Sequence, residues 1–323
     1  MKNSLPLIFF LIVIAAAPFA ANAGIRGTTG QSTKTIAAQG VERSVAADAS
    51  VAVSLCTGSG NITVRGWDRR EVRARSRNAA AVELRRGDAA SLNAMRLEVL
   101  LTDPANRRRT PNDCQSFSDV ELDVPRGASV EVKTLSGDVK IEEIAEARVQ
   151  TVSGNALVRR IGKGIEVVSV SGDVDLENAS GSVRLRSVSG SVDVRDANPS
   201  AASDELEVTT TSGNVKLERI GHARVEVAAV SGNVSMAGGL ARGGRYRFRT
   251  ISGNVDVLLP ENASFQFTAR VSRGGSIIFT NLPFKFETDN SQASSRLVNG
   301  VFGTGDATLN LTSFSGTLRL RRK

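Results

Sequence analysis

Histidine is nearly missing from this sequence: His222 is the only one in 323 residues. A serine triad needs a base beside its nucleophile, and a zinc site needs three or four ligands. With no cysteine near it in sequence, His222 reads as a surface turn residue between Gly221 and Ala223. Cysteine is almost as scarce. Cys56 and Cys114 are the only two, and neither belongs to a C-x-x-C motif, which argues against a redox centre or a finger-type metal site. Aromatic residues make up 4% of the chain. That leaves no aromatic interleaving for base stacking, so nucleic acid is not an expected partner. Eight prolines are too few for a long disordered stalk. There is no phosphate loop, no dinucleotide fingerprint and no G-x-S-x-G elbow. The sequence therefore names no catalytic residue, no cofactor and no metal.

What is present begins with an export signal. Lys2 gives a positive start, residues 5–20 form an apolar run broken by Pro18, and Ala21-Asn22-Ala23 is an A-x-A cleavage site. The apolar run is short for a membrane span, and no second long one follows. No cysteine follows the run closely, so a lipid anchor is not expected. Residues 1–23 read as a signal peptide and 24–48, rich in Gly, Thr, Ser and Ala, as a flexible leader. The protein is expected to be exported, to the periplasm, the cell surface or the medium, and not integral to a membrane after cleavage. An oxidising compartment favours a Cys56–Cys114 bridge. Closing so long a loop contributes ~4 kcal/mol in the chain-entropy model.

The body of the chain is a repeat. Ser-Gly recurs with Asp, Asn, Ser or Thr after it, at Gly60, Gly137, Gly154, Gly172, Gly190, Gly213, Gly232, Gly253 and Gly316. Ser180-Gly181 falls out of register. Aligned on the glycine, fixed positions are apolar or small. Five before it stand Val132, Val149, Val167, Leu185, Val208, Val227 and Phe248. Two after it stand Val139, Ala156, Val174, Val192, Val215, Val234 and Val255. Alternation with a period of two is the signal of a half-buried strand. Each copy reads as strand, Ser-Gly corner, strand. Between Gly253 and Gly316 the pattern decays, and Gly275 with Ile277 and Phe279 is a degenerate copy at best.

The outward positions carry alternating charge. Six before the glycine stand Glu131, Arg148, Glu166, Arg184, Glu207, Glu226 and Arg247; five after it stand Glu142, Arg159, Glu177, Arg195 and Glu218. If copies stack in register these are cross-strand neighbours, where opposite signs help by ~0.2–1 kcal/mol. The expected fold is therefore all-β, a β-solenoid with coils of about 18–22 residues, spanning 49–323 as one domain. Ten such coils at ~4.8 Å give a length on the order of 50 Å. Residues 65–128 interrupt the register. They are expected to help cover one solenoid end, while the Phe-rich 265–287 stretch and the basic tail finish the other.

Few other residues invite chemistry. The corner serines recur too often to be nucleophiles, and the glycines suit φ > 0. Asp138, Asn155, Asp173, Ser191, Asn214, Asn233 and Asn254 follow the glycine and read as a ladder of turn bonds, not a calcium repeat. Asp173, Asp175, Glu177 and Asp193 form the one acidic patch suited to a metal or to polysaccharide cleavage. The formal charge of +8 suits acidic envelope polymers or headgroups, and Arg107-Arg108-Arg109 is a local cluster.

The stretch Gly60-Asn61-Ile62-Thr63-Val64-Arg65-Gly66-Trp67-Asp68, the Leu122-Asp123-Val124-Pro125 step and the Thr/Ser-x-Ser-Gly-Asp/Asn-Val copies resemble a bacterial family of exported β-strand-repeat proteins of unknown function, known as adhesin-like or adhesin head domains. The resemblance covers about residues 45–323. It implies a right-handed or related β-solenoid, an envelope or surface location and no known catalytic residues. The function expected is non-enzymatic binding of an extended partner: an acidic envelope polymer, a carbohydrate or an envelope protein. A structural scaffold is the alternative, and a polysaccharide-acting enzyme comes third.

Overall fold

Alternating valines fold here into strands two to a coil. The computed structural model describes residues 41–77, 81–87, 95–102, 114, 116–272, 274–281, 287–289 and 295–323. The signal, residues 24–40 of the leader and the Arg107-Arg108-Arg109 cluster lie outside them. The N-terminal strands are β1 (Val41–Ala46), β2 (Ala52–Ser59), β3 (Ile62–Trp67), β4 (Glu71–Ser76), β5 (Ala81–Arg86), β6 (Arg96–Thr102) and β7 (Val120–Pro125). The regular coils follow as β8 (Ser129–Ser136) and β9 (Val139–Glu142), β10 (Glu146–Ser153) and β11 (Ala156–Ile161), β12 (Gly164–Ser171) and β13 (Val174–Ser180). They continue as β14 (Ser182–Ser189) and β15 (Val192–Asn198), β16 (Glu205–Ser212) and β17 (Val215–Glu218), β18 (Arg224–Ser231) and β19 (Val234–Ala237), β20 (Arg245–Ser252) and β21 (Val255–Leu259). The last strands are β22 (Phe265–Ser272), β23 (Ser276–Thr280), β24 (Glu287–Asp289), β25 (Ser295–Phe302), β26 (Ala307–Ser315) and β27 (Thr317–Arg322).

These strands form two long sheets. Strands that precede a Ser-Gly corner lie in a fourteen-stranded sheet, and those that follow it lie in a thirteen-stranded one. Within the array, pairing from coil to coil is parallel and in register: Val132 faces Val149, Val149 faces Val167, and Val167 faces Leu185. The fold is a β-solenoid, and every described residue lies in the unit Ala38–Lys323. Between the sheets the inward rows are sealed: Val132, Val149, Val167, Leu185, Val208 and Val227 are essentially inaccessible. Each buried aliphatic side chain contributes ~1.5–3 kcal/mol.

The expected charge ladder is present. Glu131, Arg148, Glu166, Arg184, Glu207, Glu226 and Arg247 are consecutive cross-strand partners. Arg148–Glu166 and Arg184–Glu207 close at 3.0 Å, and Arg159–Glu177 on the other sheet also at 3.0 Å. Glu207 and Glu226 remain the like-charged pair.

Copies differ in length because the return corner, where the chain passes back to the fourteen-stranded sheet, absorbs every insertion. Ser180-Gly181 is out of register for this reason. It is itself a one-residue return between β13 and β14, with Gly181 at φ 91°. The long step from Gly190 to Gly213 holds the 199–204 loop, which Asp204 closes by accepting the N–H groups of Ser200 and Ala201 at 2.8 and 2.7 Å. Just before the return, Glu143, Arg160, Asn178, Asp196 and Arg219 all adopt left-handed φ of 53–61°. Where pairing continues past them, Arg160, Asn178 and Asp196 are skipped: Arg159 faces Glu177 and Ile161 faces Ala179, and Glu177 faces Arg195 and Ala179 faces Ala197. This stacked bulge is absent from the sequence reading.

Both ends depart from sequence order. The described strands of the 65–128 insertion lie at one end of the sheets. Strand β6 pairs β2 with β5 outside it, and β7 pairs β3 with β4 outside it. Strand β1 adds antiparallel to β4, so residues 41–46 of the expected leader are a strand. Trp67 braces this end, donating its indole N–H to the Glu71 carbonyl at 2.8 Å under the Arg73 guanidinium at 4.6 Å. At the other end the basic tail does not finish the stack. Strands β26 and β27 intercalate between the β20–β21 coil and the β22–β23 coil. The reason is shape. The Gly316 corner repeats the Ser-Gly geometry and seats on Gly253, whose carbonyl would lie 2.0 Å from a Cβ at 316. Strand β22 carries Phe265 and Phe267, which stack with Phe302 and Phe279 at 5.8 and 5.3 Å and suit a terminal layer. The antiparallel β25 then covers β22.

Candidate functional site

The Ser-Gly corner organises the molecule's longest edge. From Gly60 to Gly316 the corner glycines have φ of 113–159°. A Cβ on any of the eight from Gly137 to Gly316 would meet the carbonyl of the preceding corner glycine at 2.0–2.3 Å. Only glycine satisfies both demands. The next position builds a ladder between coils. Asn61 N–H donates to Asp119, Asp138 N–H to Asn61, Asn155 N–H to Asp138, Asp173 N–H to Asn155 and Ser191 N–H to Asp173, all at 2.7–3.1 Å. The serine side chain at 191 stops the run. It resumes from Asn214 to Asn233, Asn254 and Thr317. The turn bonds expected within each corner thus run from one coil to the next.

The residues that invited chemistry are tied into structure. His222 is fully buried, not a surface turn residue. Its Nε2 lies 2.8 Å from the Gly181 carbonyl, two return corners away. Its own carbonyl accepts the Tyr246 hydroxyl at 3.0 Å. Burial pushes the Tyr246 phenol above its ordinary value. The acidic patch does not converge. Arg195 bonds both Asp193 and Asp175 at 2.9 and 3.1 Å, Glu177 is held by Arg159, and Asp173 accepts the Ser191 N–H. Asp175 and Asp173 instead line a shallow depression with Asp138, Lys140, Asn155 and Leu157. Among the described residues no three metal-ligating side chains converge. Cys56 and Cys114 are joined by a disulfide with Cα atoms 4.8 Å apart, beside Thr57, whose hydroxyl donates to Ser116 O at 2.9 Å.

Charge on the thirteen-stranded sheet is largely self-neutralised. The Arg219 guanidinium holds the Asp196 carboxyl below the usual carboxylate range through bonds of 2.6 and 2.8 Å. Asp204 is likewise lowered, by the backbone N–H of Ala201 and then the Ser182 hydroxyl.

The outer face of the fourteen-stranded sheet is different. Two residues before the corner glycines from Gly137 to Gly316 stand Leu135, Val152, Val170, Val188, Thr211, Val230, Ile251 and Phe314, and all of them but Thr211 are apolar and 44–53% exposed. They form one apolar stripe, aliphatic as far as Ile251 and ending on Phe314 in β26, interrupted only by Thr211 between Val188 and Val230, and extending about 34 Å over eight strands. The exposed Ser136, Ser153, Ser171, Ser189, Ser231 and Ser252 run beside it on the corner side. On the other side runs the row four before the glycine: Cys56, Lys133, Gln150, Val168, Arg186, Thr209, Ala228, Arg249, Thr312 and Arg270 in spatial order. That row holds four cations and no carboxylate. Alternation predicts the inward rows and the charged outward ones, and this stripe is not among them. The same glycine alignment carries its signal: an apolar residue where alternation calls for a polar one.

No functionally curated protein matches the chain. Among solved structures, a candidate cell adhesion protein from Clostridium sporogenes is similar at 10% identity and a TM-score of 0.22, covering 88% of this chain and 100% of that one. A candidate adhesin from Parabacteroides merdae is similar at 10% identity and a TM-score of 0.31, covering 69% of this chain and 90% of that one. The profile of the family Toastrack DUF4097 matches residues 61–321. The corner glycines from Gly137 to Gly316 and the strands from β3 to β26 fall in that span, and the chain belongs to the Toastrack DUF4097 family.

Proposed function

We propose that the protein is a non-enzymatic, exported envelope or cell-surface protein that binds an extended, acidic partner, polymer or protein, along the outer face of its fourteen-stranded sheet. The observation that carries this reading is the aliphatic stripe from Leu135 to Ile251, flanked by a row with cations and no carboxylate. Contiguous exposed apolar surface of this kind marks interaction sites on soluble proteins. A rigid array with one repeating contact per coil suits an extended ligand. The Cys56–Cys114 bridge supports an oxidising compartment. The one histidine is buried at a return corner, away from the exposed corner serines, and the acidic patch is engaged by Arg195 and Arg159, which supports a role without catalysis.

The test is retention on peptidoglycan or anionic-polysaccharide beads. The expected result is retention that weakens with salt and falls in the Val170→Ser/Val230→Ser variant. Retention that ignores these side chains would remove the stripe as the working surface. A scaffold role is the second reading, favoured by β23. It ends the thirteen-stranded sheet with Ile278 exposed and can accept a further strand. Co-purification of one envelope protein, abolished by Ile278→Pro with bead retention unchanged, would favour it.

A further inference from the structure

We infer that the Ser-Gly edge docks on an anionic phospholipid bilayer, with the aliphatic stripe between headgroups and the cationic row against their phosphates. This rests on the reading that the stripe is the working surface, and puts a lipid surface in the place of the polymer or protein.

Three features point there. The first is shape. The stripe is one side chain wide and stands beside a corner, so it is a ridge. Two rigid ridges touch along a line and bury far less than the ~800 Å² per partner of a standard protein interface. A fluid headgroup layer closes around a ridge. The second is chemistry. The stripe is aliphatic from Leu135 to Ile251 and ends on the exposed Phe314 beside Ile251. Val, Leu and Ile partition into the acyl boundary, and adjacent serine hydroxyls can bond at headgroup depth.

The third is charge complementarity. In the row beside the stripe, Lys133 and Arg186 have carboxylate partners, Glu131 at 3.0 Å and Glu207 at 3.6 Å. Arg249 and Arg270 are exposed and have no such partner among the described residues. They stand two strands apart, flanking Thr312, about 10 Å at ordinary strand spacing. The next row out neutralises itself through pairs such as Arg184–Glu207. Unanswered positive charge thus lies beside the apolar stripe, the arrangement of an interfacial anchor. Polarity along the edge is set by the position after the glycine. Asp138 and Asp173 stand at the N-terminal coils, whereas Asn214, Asn233 and Asn254 stand at the C-terminal ones. Contact is therefore strongest from Val188 to Ile251.

The experiment is co-sedimentation of the full chain with vesicles of phosphatidylglycerol and phosphatidylcholine, against pure phosphatidylcholine. Variants are compared in the same full chain, so that the apolar N-terminal run contributes equally. The expected result is preference for the anionic vesicles. Arg249→Gln/Arg270→Gln should weaken binding by roughly fivefold per arginine, and Val230→Ser/Ile251→Ser by roughly tenfold. Lys216→Gln on the other sheet should have no effect. A Val230→Trp reporter, read against Trp67, should shift to the blue on anionic vesicles, and Leu157→Trp on the opposite face should not. Equal binding by all variants, or a blue shift at 157 instead of 230, overturns the proposal. So does a dimer that Val230→Ser/Ile251→Ser converts to monomer, since a second copy would then cover the stripe. If vesicle binding fails while bead retention still depends on Val230, the bilayer is wrong and the proposed function stands. If both ignore Val230, the proposed function falls with it.

Discussion

Gly172 shows how much a single corner residue carries. It sits at φ 123°, and a Cβ there would lie 2.2 Å from the Gly154 carbonyl oxygen. Gly172→Ala meets a backbone cost of ~1–3 kcal/mol and a clash that no side-chain rotation relieves. We expect its denaturation midpoint to fall sharply or the chain to fail to fold. Gly239→Ala, with open space around the added carbon, should leave the midpoint unchanged. Ser191 tests the opposite sign. It interrupts the inter-coil ladder, and no side chain accepts the Asn214 N–H among the described residues. Ser191→Asn supplies that acceptor and should raise stability by about 1 kcal/mol in chemical denaturation. These corners were legible in the sequence because only glycine tolerates the geometry, so nothing else occupies the position. His222 was not legible. Gly221 and Ala223 look like a surface turn, and its burial depends on the Gly181 return corner, 41 residues away. The left-handed bulge at Glu143, Arg160, Asn178, Asp196 and Arg219 escaped for a related reason: four residue types at five positions share one backbone state.

At the level of strands, alternation revealed which segments pair but not the order in which coils stack. Every copy presents the same valines and the same corner, so register alone places the Gly316 copy after any other. Its position between β20–β21 and β22–β23 follows from the corner stack and the aromatic layer of Phe265, Phe267, Phe279 and Phe302. The strand β1 was hidden because Val41–Ala46 buries little of its own surface. The intercalation makes a distinct prediction. Deleting residues 307–323 removes an interior layer and not a dispensable end. Strands β22 and β25 lose the surface beneath them, and hydrogen exchange should show residues 265–302 unprotected while β8 to β17 keep their protection. Retained protection at 265–271 would mean that β22 seats directly on β20.

For the solenoid as a whole, in-register stacking turns a local oddity into a surface. One aliphatic residue on the wrong side of a strand is unremarkable; repeated in six coils at the same position, it makes a continuous ridge with cations beside it. Both sheets neutralise charge in pairs, such as Arg219–Asp196 and Arg321–Asp256 on one and Arg148–Glu166 and Arg184–Glu207 on the other, and the fourteen-stranded sheet also carries an amphipathic edge. The most direct measurement is hydroxyl-radical footprinting of the chain with and without its cognate envelope fraction. Leu135, Val170, Val188, Val230 and Ile251 should lose reactivity on binding, while Leu157 and Ile278 on the other sheet keep theirs. Protection of Leu157 and Ile278 with the stripe still reactive would contradict the account.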